Sequence, residues 1–217
     1  MTEYPVIEQF ISLQGEGNAI GQKSYFIRLA GCNLNCSFCD TPYARDKSDA
    51  EILDEKALLD LIPRRMPVVI TGGEPLLYNL WPLLHVLFLR EGRSAQAYVE
   101  TNGTIFAEYY YTKFVVSPKL DFWPEAYNAE NLMHYERNGA IFKFVIRDKN
   151  DFDRTMEIHD EYGFSELILM PEGTTSEAII ERSREIAKWM CESELDLRNV
   201  RLVPRLHTLL WGDKRGR

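Results

Sequence analysis

The 217-residue sequence contains no apolar run of about 18 residues or more, the length needed to cross a bilayer as a helix. Its N-terminus also lacks a basic region followed by an apolar stretch, so we predict no secretory signal. Internal repeats, low-complexity segments and obvious linkers are missing as well. These absences exclude a membrane-spanning protein and a repeat array, and they favour one cytoplasmic domain built on one core.

Positive charge is scarce. Lys and Arg number 25 against 33 Asp and Glu, which gives a formal net charge of -8 and a sequence pI of 5.1. Binding to a nucleic-acid backbone depends on Lys and Arg side chains that neutralise phosphates. We therefore expect no nucleic-acid partner, although a small basic pocket is compatible with this balance.

Cysteines are few and unevenly placed. Three of the four lie close together, at Cys32, Cys36 and Cys39, while Cys191 stands far away. This distribution is not that of a disulfide scaffold, in which several cysteines are spread through a small domain. Clustered cysteines in a reducing compartment indicate metal ligands instead.

Short, continuously apolar runs alternate with helical patterns along the chain. The predicted strands are residues 24–29, 68–71, 97–100, 114–117, 141–146, 166–170 and 200–203, and the predicted helices are residues 54–62, 79–90, 151–162 and 176–192. This alternation is typical of parallel strands covered on both faces. We predict an α/β fold, a partial (open) parallel β/α barrel of about six strands. The stretch between Glu100 and Phe114 is short for a crossover helix, so one crossover is expected to be abbreviated.

Residues of unusual type gather where the predicted strands end. The five loops concerned are residues 31–41, 72–75, 101–103, 117–119 and 170–173. In α/β folds, ligands bind at the carboxyl ends of the strands. We therefore expect the five loops to line one active-site mouth.

The cysteine loop, residues 31–41, carries the spacing Cys-x-x-x-Cys-x-x-Cys. Thiolates are soft ligands suited to zinc or to iron–sulfur clusters. A structural zinc site normally takes four protein ligands, so one hypothesis is a non-catalytic zinc-binding adaptor completed by Cys191 or a histidine. The other hypothesis is a 4Fe–4S cluster with one iron left open for a chelating molecule.

With this loop the sequence resembles the radical S-adenosylmethionine (SAM) superfamily, whose open barrel is the predicted fold. The resemblance implies a 4Fe–4S cluster held by Cys32, Cys36 and Cys39, with SAM chelating the open iron. In that family one electron from the cluster cleaves SAM to a 5′-deoxyadenosyl radical. Phe38 matches the aromatic residue that usually lies beside the adenine.

The second superfamily motif is Gly72-Gly73-Glu74-Pro75, which resembles the glycine-rich SAM-binding loop. Glycines lack Cβ, so their backbone can approach a ligand closely. The Glu74 carboxylate can accept a charge-assisted hydrogen bond from the SAM ammonium group. The resemblance therefore assigns Gly73 and Glu74 to SAM.

Further motifs narrow the resemblance. They are SLQGEG at residues 12–17, YFIRL at 25–29, CDT at 39–41, TGGEP at 71–75, ETNGT at 100–104 and VSPK at 116–119. Together they resemble the 7-carboxy-7-deazaguanine synthase family of queuosine and 7-deazapurine biosynthesis, over most of the chain. The resemblance implies a lyase that contracts the ring of 6-carboxy-5,6,7,8-tetrahydropterin with loss of ammonia. It also implies Mg²⁺, SAM that is regenerated at each turnover, a homodimer, and an electron donor such as flavodoxin or ferredoxin.

The residue types suit a pterin. Its guanine-like edge presents a ring N–H and an exocyclic amine, which Glu16 can accept, while Gln14 can meet a neighbouring carbonyl. Arg28 lies within an apolar strand, and its guanidinium suits the substrate carboxylate. The alternatives are a polar turn for the Gln14–Glu16 motif and a structural ion pair for Arg28.

The family match assigns the remaining roles. The other substrate contacts are Leu13, Gly15 and Thr71, and Thr41 is the Mg²⁺ ligand through its hydroxyl. The other SAM contacts are Ser117, Pro118, Lys119, Met170, Pro171, Glu172 and Gly173. Residues 1–217 then form a single radical SAM domain, with 1–23 an N-terminal substrate-loop extension and 204–217 a C-terminal tail. Such tails differ within the family, so His207 and Arg217 receive no role. A glycyl-radical-enzyme activase, which shares the cysteine and glycine-rich loops, is a competing hypothesis.

Overall fold

The structure, a computed structural model, describes residues 2–92 and 95–217. The chain divides into two compact units. The first unit comprises residues 1–12 and 23–114 with Gly216, and the second comprises residues 13–22 and 115–215 with Arg217.

The first unit is built on parallel strands with an antiparallel edge. Its elements in chain order are β1 (Glu3–Leu13), β2 (Lys23–Leu29), β3 (Glu51–Asp54), α1 (Glu55–Leu61), β4 (Val68–Gly72), α2 (Trp81–Glu91) and β5 (Ala97–Thr101). Their strand order is β3-β1-β2-β4-β5. Strands β2, β4 and β5 pair in parallel, whereas β1 pairs antiparallel with β3.

The apolar sequence of the parallel strands explains this core. Ile27, Leu29, Val69, Ile70 and Val99 are fully buried, as expected for strands covered on both faces. The carboxyl ends of β2, β4 and β5 consequently lie at one edge of the unit. Three of the five predicted loops, residues 31–41, 72–75 and 101–103, lie at these strand ends.

The second unit repeats the pattern of a strand followed by a helix. Its elements are the end of β6 (Thr112–Val116), α3 (Ala129–Arg137), β7 (Ile141–Ile146), α4 (Lys149–Tyr162), β8 (Leu167–Pro171), α5 (Ser176–Glu192), β9 (Val200–Leu202) and α6 (Leu206–Trp211). The strand order is β6-β7-β8-β9, and all three pairs are parallel. Three of these helices begin with a side-chain N-cap. Asn128 accepts from the Asn131 amide, Asp148 from the Asp151 amide and Thr175 from the Ala178 amide.

The predicted α/β class with parallel strands in an open sheet is confirmed. The described residues form nine strands rather than about six, because β1 and β3 were not predicted. Strand β1, inside the predicted extension 1–23, mixes polar and apolar residues, and β3 has four residues, so neither shows a continuous apolar run. The helices α3 and α6 were also missed. Residues 102–111 contain no α-helix, which confirms the abbreviated crossover.

The single-domain boundaries stay a prediction. No helix in the described part of the chain is both long and apolar enough to cross a membrane.

Candidate active site

The cysteine loop of the first unit starts directly after β2. Its two ends are joined by a hydrogen bond from the Gly31 amide to the Ala44 carbonyl, at 2.8 Å. Inside the loop, the Arg45 guanidinium donates to the Asn35 side chain and to the Cys36 carbonyl. The protein's own backbone and side chains therefore set the course of this loop.

All four cysteines are thiols. Cys36 is buried and Cys32 and Cys39 are half-buried, whereas Cys191 is exposed. Within residues 2–92 and 95–217, no three His, Cys, Asp or Glu side chains gather around a point that would hold one metal ion. The cysteine loop nevertheless carries three thiols, which are soft donors of the type that a 4Fe–4S cluster takes, so the donor set fits that group.

The glycine-rich loop packs directly against the cysteine loop. A Cβ on Gly72 would lie 2.1 Å from the Leu29 carbonyl oxygen, and one on Gly73 would lie 2.0 Å from the Gly31 carbonyl oxygen. The amides of Gly73 and Glu74 donate to these same two carbonyls, at 3.0 and 2.8 Å. The two glycines are thus required by contact between two segments of backbone, in addition to any approach of a ligand.

The change Gly72→Ala is expected to disrupt this junction. The new Cβ would collide with backbone atoms of Leu29, and the φ of Gly72, 133°, already disfavours any side chain. We expect a lower melting temperature of the apoprotein and a loss of iron after reconstitution. Gly92→Ala is the matched control, because Gly92 also has a positive φ, 60°, but has open space around it. Equal melting temperatures and iron contents for the two variants would contradict the packing role.

Glu74 is fully buried at the junction of three loops. Its carboxylate accepts hydrogen bonds from the Leu76 amide at 2.9 Å, the Thr101 hydroxyl at 2.8 Å and the Asn102 amide at 2.6 Å. The Asn102 side chain in turn donates to Asn33 in the cysteine loop, at 2.9 Å. Asn102 received no role in the sequence analysis, although its position just after a strand was a usable signal.

Arg28 makes an ion pair in the first unit. Its Nε lies 2.7 Å from Glu8 Oε1, which also accepts from the Tyr43 hydroxyl at 2.8 Å. The guanidinium carbon is 6.0 Å from the centre of the Phe10 ring. The ion-pair alternative is therefore present, and binding of the substrate carboxylate by Arg28 stays a prediction.

Two further residues predicted for the site, Thr71 and Thr41, also belong to the first unit. Thr71 is the register partner of Arg28 on the neighbouring parallel strand. The Thr41 hydroxyl donates to Asp40 Oδ1 at 3.3 Å and lies 4.0 Å from the Cys39 sulfur. Thr41 therefore offers a hard oxygen beside the cysteine loop, and Phe38 in the same loop is half-buried.

In the second unit, the loop at residues 13–17 is closed and buried, not an exposed polar turn. The Gln14 amide donates to the Gln22 carbonyl, and the Gly21 amide donates to the Gln14 carbonyl, both at 2.8 Å. Gln14 and Glu16 are both buried, and Gln14 Oε1 accepts from the Glu16 amide at 3.2 Å. Hydrogen bonds within the loop therefore hold the backbone that carries Glu16.

Glu16 is surrounded by positive charge. Lys143 donates to Oε2, the Arg205 Nε lies 3.0 Å from Oε1, and the His207 Nε2 lies 4.0 Å from the same oxygen. Burial alone would raise the pKa of Glu16, but the charges of Lys143, Arg205 and His207 outweigh it and hold this pKa well below its ordinary value. Glu16 is therefore an ionised, acceptor-only group at neutral pH.

Lys143 and Arg205 were missed by the sequence analysis. A lysine in the middle of the apolar strand Ile141–Ile146 was a usable signal, since a buried charge needs a partner. Arg205 lies in the tail and had no such signal.

The tail also reaches the loop at residues 13–17. The Leu206 amide donates to the Gly15 carbonyl at 2.9 Å, and a Cβ on Gly15 would lie 2.0 Å from His207 Nδ1. His207, which had no assigned role, thus lies beside the loop. Arg217 is exposed.

The residues predicted to contact SAM in the second unit follow two strands. After β6, Ser117 and Pro118 are buried, and Lys119 Nζ donates to the Ser117 hydroxyl at 2.7 Å. At the end of β8, Met170, Pro171 and Gly173 are buried while Glu172 is partly exposed. The structure places each group at a strand end, as predicted; the single mouth and the SAM contacts stay predictions.

Comparison with known proteins identifies the family. A sequence model of the Radical SAM superfamily matches residues 26–181. The chain is similar to the 7-carboxy-7-deazaguanine synthase of Clostridium acetobutylicum, with 32% identity over 98% of this chain and 99% of the relative. It is also similar to that of Halobacterium salinarum, with 32% identity over 96% of this chain and 91% of the relative.

Among solved structures, the chain is similar to QueE from Escherichia coli, with a TM-score of 0.73 and 26% identity over 94% of this chain and 95% of the other. The superfamily model covers more than half of the chain, and the curated relatives match it at nearly full length. The chain therefore belongs to the radical SAM superfamily and, within it, to the 7-carboxy-7-deazaguanine synthase family.

Proposed function

We propose that the protein converts 6-carboxy-5,6,7,8-tetrahydropterin to 7-carboxy-7-deazaguanine with loss of ammonia. The observation that carries this proposal is the match to curated 7-carboxy-7-deazaguanine synthases along nearly the whole chain. The donor set supports it, because a single loop offers three thiols and the loops beside it offer buried polar groups.

The chain's own residues bind and orient the reactants. Cys32, Cys36 and Cys39 would hold the 4Fe–4S cluster, which when bound and reduced supplies the electron that cleaves SAM. Glu74 would accept a hydrogen bond from the SAM ammonium, and the hydrogen bonds that its carboxylate accepts from Thr101 and Asn102 would fix its orientation.

Other SAM contacts are assigned by the family match. They are Phe38, Gly73, Ser117, Pro118, Lys119, Met170, Pro171, Glu172 and Gly173. Burial of most of these residues supports the assignment, since a radical needs a site from which water is excluded.

Substrate recognition is assigned to two charged groups. The ionised Glu16 carboxylate would accept hydrogen bonds from the ring N–H and the exocyclic amine of the pterin. Gln14 would donate to the neighbouring carbonyl. Arg28, whose Nε donates to Glu8, would bind the substrate carboxylate through its guanidinium. Leu13, Gly15 and Thr71 complete the proposed contacts.

Mg²⁺ and the protein partners are also part of the proposal. Thr41 would ligate Mg²⁺ through its hydroxyl, with the remaining ligands from substrate and water. We expect a cytoplasmic homodimer that receives electrons from a flavodoxin or a ferredoxin. The abundance of thiols in the cysteine loop supports a reducing compartment.

An anaerobic assay of the reconstituted protein tests this function. The mixture contains the carboxytetrahydropterin, SAM, reductant and Mg²⁺, and the product is followed by its deazapurine absorbance and mass. We expect more than one product per SAM, because SAM is regenerated, and a slower rate when Mg²⁺ is omitted. The absence of a deazapurine, despite a complete cluster and measurable SAM cleavage, would reject this substrate and favour an activase.

A further inference from the structure

Three consecutive residues of the C-terminal segment contact the loop at residues 13–17. The Arg205 side chain pairs with the Glu16 carboxylate, the Leu206 amide donates to the Gly15 carbonyl, and the His207 ring occupies the space beside the Gly15 Cα. A segment that contacts the same loop at every residue restrains both its backbone and its acidic side chain. The contacts lie in the second unit.

Glu16 also receives a second full positive charge from within the sheet. Lys143 on β7 is 4% exposed and Arg205 is 7% exposed, so both cations are removed from water together with the carboxylate. Burying charges is costly unless they are paired with good geometry. Here the pairing is close, because the two buried cations contact different oxygens of the one carboxylate.

Arg205 makes one more contact that extends this restraint. Its Nη1 donates to the Gly173 carbonyl at 3.2 Å, while its Nε donates to Glu16. A planar guanidinium that bonds two segments at once has a fixed orientation. The position of the Glu16 carboxylate is thereby tied to the end of the Met170–Gly173 loop.

We propose that Arg205 and Lys143 are positioning residues for substrate recognition. They hold the Glu16 carboxylate in its charged form and in a fixed orientation toward the guanine-like edge of the pterin. The proposal rests on the proposed function for the nature of that ligand. A charged carboxylate can accept two donors from the ligand, whereas a protonated one would turn its own O–H toward them. The two cations therefore act on recognition through Glu16 and not by contacting the pterin.

The test uses the full-length reconstituted protein and 6-carboxypterin, an oxidised and unreactive analogue. Its dissociation constant is measured by fluorescence between about pH 5.5 and pH 8, where an unperturbed carboxyl is ionised. The variants are Arg205→Gln, Arg205→Lys and Lys143→Met. Arg198→Gln is the matched control, because Arg198 pairs with Asp196 on the surface of the same unit.

In the unchanged protein, protonation of Glu16 should not limit affinity over this range, because the pKa of Glu16 lies well below it. His207, whose Nε2 lies 4.0 Å from Glu16 Oε1, also faces this carboxylate and lowers its pKa together with Lys143 and Arg205. Arg205→Gln and Lys143→Met each remove a charge that lowers this pKa, so the pKa rises. As the pH falls toward the raised value, Glu16 takes up a proton and affinity drops. We expect about tenfold weaker binding at the acidic end. Arg205→Lys should restore part of the affinity, and Arg198→Gln should change nothing.

A double-mutant cycle separates positioning from general damage to the fold. If Arg205 acts through Glu16, then Arg205→Gln should add little to the loss already caused by Glu16→Gln. Additive losses, or an unchanged affinity and pH profile in Arg205→Gln, would overturn the proposal. Retained SAM binding in each variant shows that the rest of the site is intact.

Failure of the proposed function gives a different result. If the unchanged protein does not bind 6-carboxypterin at all, the ligand is wrong, and the carboxyl carbon of Glu16 is then titrated by ¹³C NMR, with Glu16→Gln assigning the signal. A midpoint that moves upward in Arg205→Gln supports the positioning role. A midpoint that does not move contradicts it, whatever the ligand is.

Discussion

Changing Cys36 to alanine is expected to abolish SAM cleavage, whereas changing Cys191 to alanine should leave it intact. Cys32, Cys36 and Cys39 are each assigned as the only protein ligand to one iron, so no other thiolate can replace the one removed. Cys191 is exposed on α5 and has no assigned role. The measurements are iron and sulfide per chain after anaerobic reconstitution and release of 5′-deoxyadenosine.

The unchanged protein should hold about four irons and four sulfides per chain. Since Cys36 is buried, Cys36→Ser serves as a closer match in size, and the thermal stability of both apoproteins shows whether the loop itself has folded. Near-normal SAM cleavage in a Cys36→Ala protein that still binds SAM would overturn the ligand assignment. One zinc per chain without charge-transfer absorption would instead favour the zinc-adaptor hypothesis.

Glu16→Gln and Arg28→Ala are expected to lose deazapurine formation at low substrate while they keep the cluster and the slow SAM cleavage seen without substrate. Neither residue is assigned to SAM, and each is assigned to a polar group of the pterin. Leaving a buried polar group of the substrate unsatisfied costs about 1–3 kcal/mol, which is roughly one to two orders of magnitude in affinity. Product yield and 5′-deoxyadenosine are measured side by side across a substrate titration.

The ion pair of Arg28 requires its own control. Glu8→Gln removes the charge that faces Arg28 Nε but keeps the guanidinium. If Arg28 binds substrate, Arg28→Ala should weaken apparent substrate affinity far more than Glu8→Gln does. If Arg28 is only structural, the two variants should lower the melting temperature together and leave substrate affinity unchanged.

Loss of the cluster in Glu16→Gln would show that this residue supports the fold and not recognition. Loss and retention of the cluster therefore distinguish a structural role of Glu16 from a role in substrate recognition. Glu16 is a buried anion between two cations. Its removal leaves those two charges uncompensated and also removes the carboxylate that is assigned to the pterin. The conservative change to Gln keeps the volume of the side chain and so limits the damage to packing.

The sequence predicted the α/β class because its parallel strands are continuously apolar, a pattern that depends only on local residue types. Strands β2, β4, β7 and β8 and helices α2, α4 and α5 lie close to their predicted places. Strands β1 and β3 were missed because a strand at the antiparallel edge of a sheet is defined by its partner. The short helix α6 was missed because its sequence has too few turns to show a periodic pattern.

The sequence by itself determined the chemistry that the site can offer: three thiols at a fixed spacing, a glycine-rich loop, and an acidic group between glycines. Only the tertiary structure decided which groups surround these residues. Lys143 and Arg205 reach Glu16 from 127 and 189 residues away, and Glu8 reaches Arg28 from another strand. Spacing and periodicity report short-range order along the chain. The partners of a buried charge are set by long-range packing, which has no local pattern from which they can be read.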